Sequence, residues 1–295
     1  MFVVLGATGH IGENLVRALD QAGQRVIAVL HDADKAGTIA TARVEPAVVD
    51  ITDTGALHKV LRCGRRAFLL NPPADTRGDS DAAELATARS ITDALEGSGL
   101  EKIVVASTYG AQKGEAIGDL SVLYDFEQRA KASGIPTAID RAAYYYTNLD
   151  MLLEPARGGT LPTAFPADMV LPMVSPTDLA EAAYRRLVSG LDDVGIRYVE
   201  GPRAYTFQDV ANAFSATLGR PVVVETTPRE HWEQSFRAAG FSAEAARAYA
   251  RMTAATVDGP ARPDNPIRGT VTLQAHIDAL VASGSSRTGG QSHRE

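Results

Sequence analysis

Short apolar runs alternate with segments of helical periodicity along the first 140 residues. The runs are rich in β-branched residues and predict strands over 2–5, 25–30, 43–49, 67–70, 102–106 and 137–140. Apolar residues recur at helical spacing near 11–22, 53–62, 80–97 and 120–133, and more weakly near 33–39. Continuously apolar strands separated by helices are typical of a parallel sheet covered on both faces. The predicted fold class is therefore α/β, with a doubly wound parallel sheet.

The alternation stops after residue 141. Prolines interrupt the chain between 155 and 176, and helical patterns follow near 176–189, 206–218, 229–239, 242–256 and 270–282. These elements are too scattered to predict an independent sheet domain. We expect an α/β domain over 1–150, a smaller α-rich lobe packed on it over 151–282, and a disordered tail over 283–295.

Composition narrows the classes of partner. The chain carries 29 basic and 36 acidic residues, a net charge of −7, and has no basic run. This balance argues against nucleic acid or an anionic membrane as the main partner. We therefore expect a small-molecule substrate. We also expect a monomer or a homodimer.

Cysteine and histidine usage narrows the chemistry. Cys63 is the single cysteine, which excludes an internal disulfide. No pair of histidines has metal-ligand spacing, and no nucleophile-elbow motif is present, so neither a metal site nor a hydrolase is predicted. No apolar run approaches the roughly 18 residues of a membrane span, and the N-terminus lacks the pattern of a signal peptide. These features predict a cytoplasmic protein.

A glycine-rich turn between the first strand and the first helix carries the main functional signal. Its sequence is Gly6-Ala7-Thr8-Gly9-His10-Ile11-Gly12. Glycines in this position allow a tight turn and close approach of a pyrophosphate, which the helix N-terminus attracts. We predict dinucleotide binding here, with Gly6, Thr8, Gly9, His10, Ile11 and Gly12 in contact with the cofactor. A turn used only for packing is the alternative.

The choice between NADP(H) and NAD(H) is made where the second strand ends. Asp32 could accept hydrogen bonds from a ribose 2′-hydroxyl, whereas His31 and Lys35 could hold a 2′-phosphate. The two signals conflict. We predict NADP(H), with His31 and Lys35 as its contacts, and NAD(H) remains the alternative.

Two later strand ends complete the predicted cofactor site. Asp50 and Ile51 follow the third strand and are expected beside the adenine. Asn71 and Pro72 follow the fourth strand and are expected nearer the nicotinamide, because ligands of such sheets lie beyond the carboxyl ends of the strands.

Several blocks resemble one family, and they occur in the same order. They are GATGHIG at 6–12, VVDITD at 48–53, KIVVAST at 102–108, FEQRAKASGIPTAIDRAAYYYTNL at 126–149, VSPTDLAEAA at 174–183 and GPRAYTFQDVANAFSATLGRPV at 201–222. In these blocks the chain resembles the NmrA-like group of atypical short-chain dehydrogenase/reductases from residue 1 to about 258. The resemblance implies a Rossmann domain with a small C-terminal substrate lobe.

The resemblance also implies candidate catalytic residues. Members of the wider superfamily use Tyr-x-x-x-Lys, and here Tyr124 is followed by Gln128 where the lysine would stand. Gln128 can hydrogen-bond a ribose but cannot stabilise a tyrosinate, so Tyr124 as a general acid competes with a structural or substrate-facing role. Ser107 ends the fifth strand, where the superfamily places its catalytic serine. Tyr144 is expected beside the cofactor.

Two functions follow from the resemblance. Family members include NAD(P)H-dependent reductases of quinones and dyes, and also redox-sensing regulators. We predict an NAD(P)H-dependent reductase that transfers hydride to a small planar acceptor, such as a quinone or a carbonyl compound. The alternative is a sensor that binds NADP(H) without turnover, which the missing lysine favours.

Overall fold

The computed structural model describes residues 1–259 and 263–289. Within these residues the main sheet has eight strands in the order β13-β10-β6-β5-β4-β1-β2-β3, and every neighbouring pair is parallel. The strands of this sheet are β1 (Phe2–Val4), β2 (Val26–Leu30), β3 (Val44–Val48), β4 (Arg66–Leu69), β5 (Lys102–Thr108), β6 (Thr137–Ala142), β10 (Gly195–Glu200) and β13 (Ile267–Arg268). The predicted doubly wound α/β fold is confirmed.

The strand order reverses at β1. Phe2 pairs with Val26 on one side and with Arg66 on the other, so β1 lies between β2 and β4. The chain first builds the sheet outward through β2 and β3, and then returns to build from β4 in the opposite direction. Such a reversal opens a crevice at the carboxyl ends of the strands, where ligands bind in folds of this class.

Helices cover both faces of the sheet because its strands are apolar on both sides. Val4 and Leu15 belong to the core on the side of α1 and α7, whereas Val3 and Phe126 belong to the core on the side of α3, α4 and α5. Consecutive strand residues point to opposite faces, so β1 supplies both cores. The helices are α1 (His10–Gln21), α2 (Ala36–Ile39), α3 (Thr54–Leu61), α4 (Ser80–Asp93), α5 (Asp119–Ala132), α6 (Leu153–Gly158), α7 (Pro176–Val188), α8 (Phe207–Leu218), α9 (Trp232–Ala238), α10 (Ala243–Asp258) and α11 (Leu273–Gly289).

The C-terminal lobe has its own core and two small sheets. One sheet has the order β11-β9-β7, and the other pairs β12 with β8. Aromatic and aliphatic side chains from α8 and α11, including Phe214 and Ile277, pack with Tyr146 and Leu161 in this core. The strands are β7 (Tyr144–Tyr145), β8 (Thr160–Thr163), β9 (Leu171–Val174), β11 (Ala204–Tyr205) and β12 (Val223–Thr226).

The division predicted at residue 150 does not follow the sheet. β10 and β13 both come from beyond residue 150 and extend the main sheet beside β6, and α7 packs on α1. The strand β10 escaped prediction because it is not a buried apolar run: Ile196 and Arg197 are exposed. The C-terminal half therefore contributes to both units.

Two further observations concern the chain's end and its helices. α11 runs to Gly289, so the predicted disordered tail does not begin at residue 283, and residues 290–295 of that tail lie outside the described residues. Among the described helices, none combines the length and apolar character needed to cross a membrane.

Candidate functional site

The glycine turn is packed so closely at Gly12 that it leaves no room for a side chain there. A Cβ on Gly12 would lie 2.1 Å from the carbonyl oxygen of Gly6, and Gly6 itself has a φ of +65°. The amide of Gly9 donates to the Gly6 carbonyl at 2.9 Å, which closes the turn. The turn is fixed to the sheet by the Ala7 amide, which donates to Val29 O at 3.0 Å.

This turn presents the N-terminus of α1 to the crevice. Gly9 is the N-cap residue, and no side chain caps the helix. The first-turn N–H groups of a helix lack partners within the helix, and the helix dipole adds positive charge at that end. Thr8 is half-buried and His10 is exposed beside it, whereas Ile11 is buried in the core. The arrangement can hold a pyrophosphate in the way the sequence predicts.

Three charged or titratable side chains, His31, Asp32 and Lys35, lie in the turn that follows β2. His31 and Lys35 are both exposed. Asp32 accepts the Asp34 amide at 3.1 Å, and the Lys35 Nζ lies 4.0 Å from Asp32 Oδ2. Because Asp32 caps this turn and lies near a cation, its carboxylate is already engaged, which leaves His31 and Lys35 as the accessible groups for an anion.

Asp50 and Ile51 take different positions after β3. Asp50 accepts hydrogen bonds from the hydroxyl of Thr52 at 2.7 Å and from its amide at 2.9 Å. These hydrogen bonds, with the nearby His31, hold the pKa of Asp50 below its usual range. The Ile51 carbonyl accepts the Ser90 hydroxyl at 2.8 Å, which ties this loop to α4. Because His31 follows β2 and acts on Asp50 after β3, the ends of these two strands are neighbours.

Asn71 joins the loop after β4 to α4. Its Nδ2 donates to the Glu84 carbonyl at 3.1 Å, whereas its Oδ1 is buried and accepts no hydrogen bond within the described residues. Leu70, the preceding residue, would lie 3.4 Å from a Cβ on Gly6, so this loop adjoins the glycine turn. Pro72, which follows Asn71, is half-buried. Buried acceptors in proteins are normally paired, so Oδ1 is suited to a ligand's N–H donor.

Beside this loop lies a pair of carboxyl groups that the sequence analysis missed. Glu84 is 4% exposed, and its side chain hydrogen-bonds that of Asp119 at the start of α5. Burial, with the neighbouring Asp119, raises the pKa of Glu84 to about 8. Burial also raises the pKa of Asp119. A signal was present: Glu84 lies four residues from both Ser80 and Ala88, on the face of α4 that is buried.

Ser107 is buried in a charged network and does not line the crevice. It is 1% exposed, and its hydroxyl donates to Glu127 Oε1 at 2.5 Å. Glu127 in turn accepts from Arg141 at both carboxylate oxygens. This environment favours a structural role for the Ser107 hydroxyl, and the catalytic role expected from the sequence stays a prediction.

Arg141 also donates to the Tyr198 hydroxyl at 3.2 Å. Asp178 accepts the amides of Thr270 at 2.9 Å and Val271 at 3.1 Å, so it holds the segment that follows β13.

Tyr124 and Gln128 occupy adjacent turns of α5. Tyr124 is half-buried and Gln128 is exposed, one helical turn further along. The buried face of the helix carries Phe126 and Glu127 instead. The contacts expected of Tyr124 with a substrate and of Gln128 with a cofactor stay predictions.

The three consecutive tyrosines point to different surroundings. Tyr144 lies edge-on to Phe165 at 5.7 Å and to Phe207 at 6.1 Å between ring centroids, within the aromatic core of the C-terminal lobe. Burial raises its pKa to about 12. Tyr146 is fully buried and donates to Val271 O at 3.2 Å. The predicted contact of Tyr144 with the cofactor gains no support from this packing and stays a prediction.

Tyr145 is the member of this group that adjoins the nucleotide-binding domain. It packs against the core that includes Ala7 of the glycine turn and Phe68 of β4. Its pKa is raised by burial and by the nearby carboxylate of Asp119. Tyr145 therefore lies within electrostatic range of Asp119, which sequence reasoning did not predict.

The family of the chain follows from a comparison with known proteins. The model of the NmrA-like family matches residues 1–275. The match covers the glycine turn, the strand ends described above and most of the C-terminal lobe. The chain belongs to the NmrA-like family, as the sequence predicted.

Individual relatives include reductases. An NAD(P)H azoreductase of Xenophilus azovorans is 24% identical over 247 residues, which are 81% of this chain and 82% of that protein. The NADPH complex of a quinone oxidoreductase from Escherichia coli superposes with a TM-score of 0.80 at 19% identity, covering 95% of this chain and 100% of the other. The NADP(H) complex of a triphenylmethane reductase from Citrobacter sp. gives 0.79 at 21% identity, with 95% and 100% covered. The two structures share the fold of this chain.

Proposed function

We propose that this protein is an NAD(P)H-dependent reductase that transfers hydride to a small planar acceptor such as a quinone, an azo dye or a carbonyl compound. The observation that carries the proposal is the close-packed turn Gly6–Gly12 at the strand-order reversal, which leaves the N-terminus of α1 uncapped towards the crevice. The relatives whose names state an azoreductase, a quinone oxidoreductase and a triphenylmethane reductase support the same reaction class.

The cofactor assigned to this site is NADP(H), with NAD(H) as a weaker ligand. The amides at the start of α1 would hold the pyrophosphate, and His31 with Lys35 would contact the 2′-phosphate. Asn71 Oδ1, which is buried and unpaired within the described residues, would accept from the carboxamide of the nicotinamide. When bound, the reduced cofactor supplies the hydride, and the protein supplies position and the exclusion of water.

Residue roles differ from the superfamily pattern. Without a lysine at position 128, Tyr124 lacks the cation that would favour a tyrosinate, so it serves to contact substrate and not as a base. Ser107 serves to position α5 through Glu127, given its burial and hydrogen bond. Tyr145 takes the place beside the cofactor that was predicted for Tyr144, because Tyr145 packs against the core that includes Ala7 of the glycine turn.

The setting of the protein is part of the same proposal. A net charge of −7 favours a small-molecule substrate over nucleic acid, and a single cysteine fits a cytoplasmic protein. A monomer or a homodimer would suffice, because every group assigned above comes from one chain.

The test is a turnover assay with binding measured separately. Purified protein is titrated with NADPH and NADH by nicotinamide fluorescence, and then mixed with NADPH and a panel of quinones, azo dyes, triphenylmethane dyes and aldehydes. We expect saturable NADPH binding and NADPH oxidation that depends on an acceptor. Tight binding with no oxidation across the panel would favour the redox-sensor alternative, for which Gln128 in place of lysine is the supporting observation.

A further inference from the structure

Helices α9 and α10 form a hairpin with a small aromatic core of its own. Phe236 of α9 contacts the rings of Phe241 and Tyr249, with centroids 5.4 and 5.7 Å apart, and the latter two rings contact each other at 5.0 Å. Within the described chain, no residue of this hairpin, 229–258, belongs to the two cores of the sheet or to the core of the C-terminal lobe. The hairpin can therefore move as a unit without opening those cores.

An ion pair closes the base of the hairpin. Arg229 donates through Nη1 and Nη2 to the two carboxylate oxygens of Asp258, both at 2.9 Å. Trp232 Nε1 donates to Thr227 O at 2.9 Å, which attaches the base to the segment that follows β12. The chain leaves α10 through Gly259, whose φ is +95°. The two ends of the hairpin are thus held together on the C-terminal lobe, which makes the base its pivot.

The tip of the hairpin docks on the loop after β4. Ser242, the N-cap residue of α10, donates its amide to Thr76 O at 2.8 Å and its hydroxyl to Gly78 O at 2.6 Å. The same loop begins with Asn71, the residue assigned to the nicotinamide carboxamide. Since α10 has 16 residues and is about 24 Å long, the hairpin reaches from the C-terminal lobe to the nucleotide-binding domain.

The middle of α10 lies against the loop after β5. A Cβ on Gly118 would lie 3.0 Å from Met252 Sδ, and Arg251 Nη1 donates to Glu115 O at 3.4 Å. Gly118 is the N-cap residue of α5, the helix that carries Tyr124. Helix α10 therefore bridges the loops that follow β4 and β5, at the edge of the sheet where ligands bind in folds of this class.

Between these two contacts, α10 is not packed closely on the sheet domain. A cavity of about 320 Å³ separates it from the start of α4. Arg247 and Arg251 line the cavity from α10, and Asp79 and Asp81 line it from α4. Protein interiors are normally close-packed, so an interface that contains such a cavity is readily separated. A few contacts at the tip and the middle hold the hairpin down.

We propose that the hairpin of α9 and α10 is a gate over the acceptor site, which pivots at its base and releases Ser242 so that the acceptor can reach the nicotinamide. This inference rests on the proposed reductase function and adds the route by which the acceptor enters. The groups assigned to the pyrophosphate and the 2′-phosphate follow β1 and β2, whereas the hairpin contacts the loops after β4 and β5. The gate therefore controls entry of the acceptor and leaves binding of the cofactor unaffected.

The first test locks the gate with a disulfide. Thr76→Cys and Ser242→Cys are combined in a Cys63→Ser background. The 2.8 Å backbone hydrogen bond keeps the Cα atoms of residues 76 and 242 within about 6.7 Å of each other, in the range that a disulfide spans. NADPH oxidation with tetramethyl-1,4-benzoquinone should fall at least about tenfold in the disulfide form, because a lid that cannot open limits turnover. Turnover should recover after reduction and removal of the reductant, and NADPH affinity should be the same in both forms.

A second disulfide at the opposite end of the sheet is the matched control. Glu101 donates its amide to Arg65 O at 2.8 Å, the same length as the hydrogen bond at the tip. These residues precede β5 and β4, far from the hairpin's contacts. Arg65→Cys with Glu101→Cys, in the same Cys63→Ser background, should form its disulfide without changing turnover or NADPH affinity. This control accounts for the oxidation treatment and for the presence of a cross-link.

Thiol labelling reads the opening of the gate without turnover. Met252→Cys in the Cys63→Ser background places a thiol against Gly118, where a maleimide reaches it when the gate opens. Ser242→Asp keeps an oxygen that can cap α10 but removes the hydroxyl donor to Gly78, so it should make labelling at position 252 severalfold faster. Cys63 is exposed in the unmodified chain, and Ser242→Asp alone should leave its labelling rate unchanged. Circular dichroism and the melting temperature establish that each variant folds.

The outcomes separate the gate from the function on which it rests. Wild type that binds NADPH but reduces no acceptor contradicts the reductase function, and the labelling rates then decide the gate. Wild-type turnover in the disulfide form, or a folded double variant that forms no disulfide, contradicts the gate. Loss of NADPH binding in the disulfide form also contradicts it, because the hairpin would then control the cofactor. If the double variant does not fold, labelling at position 252 decides, and equal rates with and without Ser242→Asp overturn the proposal.

Discussion

Glu127 and Arg141 form a two-pronged ion pair between α5 and β6, with Nε to Oε1 and Nη2 to Oε2 both at 2.7 Å. Glu127 is fully buried and Arg141 is 9% exposed. The pair fixes the register of α5, which carries Tyr124, against the strands whose ends form the crevice. Both side chains are buried, so they support the elements around the crevice and do not line it.

Removing one member of this pair should be costly. Glu127→Gln leaves the Arg141 guanidinium buried without a counter-charge, and we expect a loss of about 3–5 kcal/mol in the free energy of unfolding. Urea denaturation at fixed pH measures it. The exposed pair Glu181–Arg185 supplies the control, since Glu181→Gln should change stability by less than about 1 kcal/mol. A loss at Glu127 no larger than at Glu181 would contradict a structural role.

The glycine turn predicts a sharp difference between two glycines. Gly12→Ala places a methyl group 2.1 Å from the Gly6 carbonyl oxygen, so the turn must shift and NADPH binding should be lost. Gly55→Ala in α3 meets only ordinary contacts and should leave binding unchanged, with a gain of up to about 1 kcal/mol in stability. NADPH fluorescence titration and thermal melting of both variants provide the readouts. Equal NADPH affinity in the two folded variants would remove the pyrophosphate site from this turn.

Cofactor preference should depend on the charges after β2. Lys35→Ala and His31→Ala should each weaken NADPH binding by about tenfold or more and change NADH binding little, because only NADPH carries the 2′-phosphate. A charge-assisted hydrogen bond to that phosphate contributes about 1.5–3 kcal/mol. Lys59→Ala, an exposed lysine in α3, is the matched control. Parallel losses for NADPH and NADH, or an NADH preference that Asp32→Ala abolishes, would assign the site to NAD(H).

The missing lysine predicts a weak effect at Tyr124. Gln128 carries no positive charge, so Tyr124 is not activated as a base, and alcohol oxidation should be slow. Tyr124→Phe should lower quinone reduction by less than the roughly 10² expected on losing an acid–base group. Steady-state rates with NADPH and a quinone test this, with NADPH affinity as the check on folding. Abolished turnover with intact binding would restore Tyr124 as a catalytic acid.

The free energy of unfolding should fall with rising pH because of the carboxyl group of Glu84. The pKa of Glu84 is raised to about 8 by burial, so between its unfolded value and pH 8 the folded protein keeps a proton that the unfolded chain releases. The unfolded state is then favoured progressively, by up to about 1.4 kcal/mol for each pH unit in that window, and the loss ends above pH 8. Glu84→Gln should lose less stability than wild type between pH 5 and pH 8 in urea denaturation. Glu96→Gln should follow the wild-type curve.

The position of Glu84 shows where sequence reasoning fell short. Its spacing from Ser80 and Ala88 put it on the buried face of α4, yet an acidic residue in a polar helix is usually solvated. Only the packing of α4 against α5 brings Asp119 to it. The tyrosines at 144–146 give a similar example. The sequence predicts that the three side chains cannot all point in one direction, but the surroundings of each depend on the turn between β6 and β7.

What the sequence determined by itself is local: the apolar strands, the helices between them, and the glycines that a tight αβ turn requires. These follow from periodicity and from backbone geometry, which act over a few residues, and they were sufficient to predict the doubly wound sheet. The family followed from the resemblance of the ordered sequence blocks. The tertiary structure decided what depends on distant segments meeting. It placed β10 and β13 in the main sheet, buried Ser107 against Glu127, and paired Glu84 with Asp119, because each contact joins residues whose proximity depends on how whole elements pack.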